Sequence, residues 1–156
     1  MSTNWYNCIG GWAGVQFSFQ NNSPYPKKHY SNSYSITGEE TITIDCQSDE
    51  LEEYIYPVIT VTEPKETAIV KIQSETDNGK TMTIRAYDRM PMTFDCRYCI
   101  PSDAAGIISY SDLGWKDVGD IYWPRLVPGK NTLHVTGDAE ITISYDVVYK
   151  KVGGWV

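Results

Sequence analysis

Apolar and polar residues alternate with a period of two along most of this chain. Leu133 and Val135 interleave with Thr132, His134 and Thr136, and Ile141, Ile143, Tyr145, Val147 and Tyr149 alternate with mostly polar neighbours. Successive side chains of a strand point to opposite faces, so this pattern predicts strands with one buried side. The same alternation runs through Gly14–Phe19, through Val70 and Ile72, and through Met82, Ile84 and Ala86. Met92 and Phe94, after Pro91, predict a further short strand, and the stretch from Ile42 to Val61 reads as strand, polar corner, strand. Turn residues punctuate these runs. Asn78-Gly79, inside Asp77-Asn78-Gly79-Lys80, suits a type I′ hairpin turn, which needs positive φ at both central residues. Pro128-Gly129 suits a type II turn, where proline presets φ and glycine supplies the positive φ that follows. Gly137-Asp138 fits a tight hairpin between the last two strands.

Helical signals are weak. Asp49 to Tyr54 suits at most one turn, capped by Ser48 or Asp49 and stopped by Pro57. Residues 20–35, rich in Asn, Ser, Tyr and Pro, predict a loop or extended arm, because they offer no periodic face to bury. Residues 100–124 read as a less regular region ahead of the closing strands. Short strands at regular spacing imply an all-β fold, an antiparallel β-sandwich of the jelly-roll kind shared by galactose-binding and carbohydrate-binding modules. Without internal repeats or a low-complexity linker, residues 1–156 read as one domain.

Composition sharpens this picture. A chain of 156 residues, 41% of them hydrophobic, buries about 70% of its unfolded surface and needs neither metal nor disulfide for a core. The net charge of −7 repels phosphate backbones and anionic membranes, which argues against nucleic acid or a membrane as partner. The start, Met1-Ser2-Thr3-Asn4-Trp5, lacks the basic and apolar regions of a secretory signal, and no apolar run has the length of a membrane span, so cytoplasmic synthesis is expected.

Chemistry-bearing motifs are sparse. Cys96 and Cys99 form one C-x-x-C pair, but Cys8 and Cys46 make no second pair and His29 and His134 no H-x-x-x-H, so the reading is reduced thiols without zinc. Asp112, Asp117 and Asp120 share one loop, yet their spacing is not that of an EF-hand, so no metal or other cofactor is implied. No G-x-S-x-G, H-E-x-x-H or phosphate-binding glycine loop occurs, and His134 falls on the face opposite Leu133 and Val135, as an exposed strand histidine. No enzyme activity is expected. Aromatics are abundant, with 5 Trp and 12 Tyr. Most tryptophans serve cores or interfaces, but Trp115 is flanked by Gly114, Lys116 and Asp117 in a predicted loop, which makes it, with Tyr122 and Trp123, the candidate for glycan or partner contact.

The closing succession Leu126, Pro128, Gly129, Asn131, Gly137, Ile141, Ile143 and Tyr145 resembles the C-terminal end of bacteriophage distal tail proteins of the siphophage type. Their domain closes with a leucine, a Pro-Gly-x-Asn turn, a short strand, a glycine turn and a last strand ending in tyrosines. Asp45-Cys46-Gln47-Ser48-Asp49 is similar to that family's polar corner, with Gln47 where Asn is frequent, and Tyr56-Pro57-Val58-Ile59-Thr60-Val61 to its next strand. The resemblance covers residues 33–150. It implies a structural part of a phage or prophage tail tip, displaying surface to receptor-binding or baseplate proteins. The alternative is a non-catalytic carbohydrate-binding module acting on host glycans. The family's N-terminal ring-forming domain has no counterpart in these residues, so a hexamer is implied only where that domain is present.

Overall fold

Twenty consecutive residues, Gly129–Val148, form a single strand at the centre of the molecule. The computed structural model describes residues 2–7, 13–18, 25–49, 51–62, 69–85, 90–113, 115 and 121–149. In chain order the strands are β1 (Ser2–Asn7), β2 (Ala13–Ser18), β3 (Lys27–Cys46), β4 (Val58–Thr62) and β5 (Val70–Ser74). There follow β6 (Lys80–Ile84), β7 (Met92–Asp95), β8 (Ile100–Asp103), β9 (Gly106–Ile107) and β10 (Gly129–Val148). β1 and β2 pair with each other. The rest form one antiparallel eight-stranded sheet in the order β6-β5-β10-β4-β7-β8-β9, with β3 on the other edge of β10. The all-β antiparallel class expected from the alternation is observed, as a curled sheet consistent with a β-sandwich.

β10 decides how the sheet curls. Its full length pairs with β3, while its other edge is shared: residues 133–136 pair with β5 and residues 140–144 with β4. The change of partner occurs around Gly137, which has φ of 125° and faces Gly38, with φ of 77°, in the β3 register. Two long strands thus bend together at paired glycines and carry the sheet around a corner, as strands do when they pass between orthogonal layers. The expected Gly137-Asp138 hairpin is therefore corrected to a bend within one strand. A two-residue turn there would have set Val135 opposite Glu140 and Leu133 opposite Thr142. The bent strand instead keeps Leu133, Val135, Ala139, Ile141, Ile143, Tyr145 and Val147 on one buried face.

Two other expectations change. Residues 27–35 are not a loop or arm but the first half of β3. Their side chains are almost all exposed, so no apolar period marked them, and backbone pairing with β10 holds them as strand. Within residues 100–124, β8 and β9 are strands. Asp49 to Tyr54 shows no helical turn among its described residues. Ala86 and the last alternating residue of the first run, Phe19, lie outside the described residues.

The φ preferences of the turns hold. Asn78 and Gly79 both have positive φ, 58° and 70°, and Lys80 N–H donates to the Asp77 carbonyl at 3.3 Å, but the hairpin closes at Ser74 and Lys80 around residues 75–79, not around the two-residue turn that was expected. Gly129 has φ of 91°. Behind it, the fully buried Asn131 side chain accepts from Val127 N–H at 2.8 Å and donates to the Val127 and Gly129 carbonyls at 2.8 and 3.0 Å. The asparagine of the Pro-Gly-x-Asn succession thus satisfies the buried backbone that the turn leaves unpaired. The core fills the concave side of the sheet, around Ile59, Ile72, Met82, Met92, Phe94, Leu126 and the odd positions of β10.

Candidate functional site

Trp115 and Trp123 come together, but around the core, while Tyr122 lies beside Asp77 and Lys80. Trp115 is 5% exposed, its ring centroid lies 5.6 Å from those of both Tyr110 and Trp123 and 6.5 Å from that of Phe94, and its indole N–H donates to the Thr83 carbonyl. Trp123 also packs on Phe94, at 6.3 Å, and on Tyr110, at 6.1 Å. These tilted and edge-on contacts are the favoured geometries of aromatic rings. Tyr122 is half-buried, and burial pushes its hydroxyl up to about 12. That hydroxyl is acted on by Ser74 and Asp77 without reaching hydrogen-bond geometry with either, and with the Trp123 indole nitrogen it is buried and unpartnered among the described residues. The ring of Trp115 serves the core here, with almost no surface for a ligand.

A different aromatic group faces solvent. Even-numbered residues of β10 point away from the core, so Ser144, Asp146 and Val148 form the floor of an open groove of about 420 Å³. Lys27 and His29 of β3, Val58 of β4 and Asp95 of β7 continue that floor. Its rim carries Tyr25, Tyr54, Tyr56 and Tyr98, which are 40%, 45%, 42% and 68% exposed. The walls are fastened to the sheet. Ile55 and Leu126 exchange backbone hydrogen bonds, both 2.8 Å, and Cys96 N–H donates to the Pro57 carbonyl at 3.1 Å. Asp95 then accepts from the Arg97 and Tyr98 amides at 3.0 and 3.2 Å, fixing the turn that presents Tyr98.

Tyr54 is held from behind. The Arg125 guanidinium lies 4.0 Å from its ring centroid, a cation–π contact. Arg125 in turn makes a bidentate pair with Asp77, at 2.9 and 3.0 Å, and Asp77 is 8% exposed. Arg125 holds the Asp77 carboxyl below its ordinary value, with burial opposing the shift and Lys80, 3.6 Å away, adding to it. Across the floor, His29 Nδ1 meets Asp146 Oδ1 at 2.8 Å.

The other chemistry-bearing residues are dispersed. His134 hydrogen-bonds Thr41 at 3.1 Å and lies 3.6 Å from Glu75, on the outer side of β10. Cys46, Cys96 and Cys99 are unbridged, and Cys8 lies outside the described residues. Burial pushes the Cys46 thiol up to about 11 and the Cys96 thiol further. Among the described residues no group of three or more His, Cys, Asp or Glu could hold a metal ion, and Asp117 and Asp120 fall outside them. Among them, too, no helix is long and apolar enough to cross a membrane, which says nothing of strands.

The model of the phage tail C-terminal domain family matches residues 17–145, most of the chain and nearly all of the curled sheet. This protein belongs to the phage tail C-terminal domain family. It is thereby a structural component of a phage tail that works among other tail proteins. No curated protein and no solved structure matches it. In this phage tail domain the four groove tyrosines come from three separate segments, which is why sequence reasoning missed them. The available signal was Tyr54-Ile55-Tyr56, two tyrosines flanking a buried isoleucine beside a predicted strand.

Proposed function

We propose that this domain is a non-catalytic scaffold of the distal tail, at the tip or baseplate, which holds a neighbouring tail or receptor-binding protein by side-chain complementarity. The observation that carries the reading is the tyrosine-rimmed groove on the outer face of the sheet. Tyrosine supplies large contact area at low entropic cost with a polar tip, a combination enriched at protein interfaces. A second reading, binding of surface glycans, is favoured by the mixture in the same groove of exposed ring faces with hydroxyl, carboxylate and cationic groups. A hexameric ring would be the work of the ring-forming domain known from distal tail proteins, joined to this one.

Immunogold electron microscopy of phage tails, with antibody raised against this chain, tests the placement. Label confined to the distal end is expected. Label along the tube, or at the head-proximal end, would overturn it.

A further inference from the structure

We propose that the tyrosine-rimmed groove takes a neutral oligosaccharide, with Tyr54 and Tyr98 as its stacking platforms. The proposal rests on the glycan reading above and names the class of ligand and the residues that grip it.

The middle of the floor excludes one common mode of peptide capture. Ser144, Val58 and Asp95 lie side by side in register across β10, β4 and β7, so their backbone already belongs to the ladders. A peptide joining as an extra strand needs a free edge, and this row offers none; an open edge reaches the groove at the outer side of β3, beside Lys27 and His29. The volume, about 420 Å³, lies in the range of small-ligand sites and suits a short stretch of a chain ligand.

Charge narrows the class further. Lys27 and Arg97 are set against Glu53, Asp95 and Asp146, and His29 is tied to Asp146. A polyanion would meet three carboxylates in the groove and a net charge of −7 on the chain. A polycation would meet Lys27 and Arg97. A neutral polyhydroxylated ligand meets donors and acceptors together, which its hydroxyls, each donor and acceptor, can use.

Tyr54 is built as a platform. The buried Asp77 fixes Arg125, and Arg125 stacks behind the Tyr54 ring, so the ring is positioned before any ligand arrives while remaining 45% exposed. Ordering it in advance removes a cost that binding would otherwise carry. Arg125 is in this scheme a positioning residue acting through Tyr54.

Isothermal titration of the purified chain with linear glucan and galactan oligosaccharides as neutral probes, and oligogalacturonate and sialylated oligosaccharides as acidic ones, tests the proposal. Saturable binding of a neutral probe is expected, unchanged by added salt and weakened about tenfold or more in Tyr54→Ala and in Tyr98→Ala, with both variants melting like wild type. Tyr54→Phe keeps the affinity, and Arg125→Gln weakens binding in wild type but not in the Tyr54→Ala background. Binding of acidic probes alone, falling with salt, would overturn neutrality and leave the glycan reading standing. Silence of every probe, with capture of a tail protein lost in Tyr54→Ala, would overturn the glycan reading as well.

Discussion

Gly137 and Gly38 face each other across β10 and β3, and their surroundings differ. A Cβ on Gly137 would stand 2.9 Å from the Ile69 carbonyl oxygen and 3.2 Å from Val70 Cα, both backbone atoms, whereas a Cβ on Gly38 would meet nothing within 4 Å. Both residues also hold positive φ, which costs a residue with a side chain about 1 kcal/mol or more. Gly137→Ala is expected to lose about 2–3 kcal/mol and Gly38→Ala about 1 kcal/mol in urea denaturation. Equal losses would mean that the clash with Ile69 and Val70 is relieved without cost. Asp77 makes a second residue-level prediction. Its folded carboxyl titrates below the ordinary 3.8, so its pairing with Arg125 stabilises the fold fully above that pH and fades as pH falls through the lower folded value. Wild type should therefore lose stability more steeply than Asp77→Asn as pH drops below 3.8, measured by urea midpoints. Parallel acid limbs would remove the pair from the account.

Among the elements, β10 and the segment 121–126 carry the most information. The alternation in β10 was legible residue by residue, yet its continuity was not, because glycine with positive φ serves a hairpin turn and a strand bend equally. The distinguishing signal was parity: Leu133, Val135, Ile141 and Ile143 are all odd-numbered, and a two-residue turn would split them between two faces whereas an unbroken strand keeps them on one. Residues 121–126 have no ladder apart from the exchange between Ile55 and Leu126, and they reach the core through side chains. Trp123 packs there on Trp115 and Phe94. Gly114 and the charges beside Trp115 in sequence suggested an exposed ring, but flanking residues do not determine where a loop side chain turns. Trp115→Ala is expected to cost about 3–5 kcal/mol, by loss of contacts and of the donor to Thr83, and thermal denaturation would show it. A variant as stable as wild type would place the ring outside the core.

At the scale of the whole molecule, one strand organises everything else. β10 is flanked by β3 on one side and by β5 or β4 on the other, whereas β3, β6 and β9 are edges of the eight-stranded sheet. Amides of an edge strand alternate between partner and solvent, while those of a strand between two partners are all engaged. Hydrogen exchange should accordingly be slowest at residues 133–136 and 141–144 and faster in β6 and β9. Faster exchange in central β10 than in β6 would contradict this topology. The curl that β10 imposes also makes the outer groove, since it brings the starts of β3 and β4, the ends of β7 and β10 and the 51–57 segment to one surface.

By itself the sequence determined the all-β class, most strands and the chemistry of two turns, because alternation and φ preferences are local properties that each short segment carries. Asn78, Gly79 and Gly129 take the positive φ that their residue types favour. Only the tertiary structure decided that Gly137 bends a strand, that the polar residues 27–35 are held as strand by β10, and that Trp115 turns inward. It alone decided, too, that Tyr25, Tyr54, Tyr56 and Tyr98 share one rim. The physical reason is common to all four. A period of two says which face of a segment is buried but not against which partner, and a site made from distant segments exists only once that pairing is set.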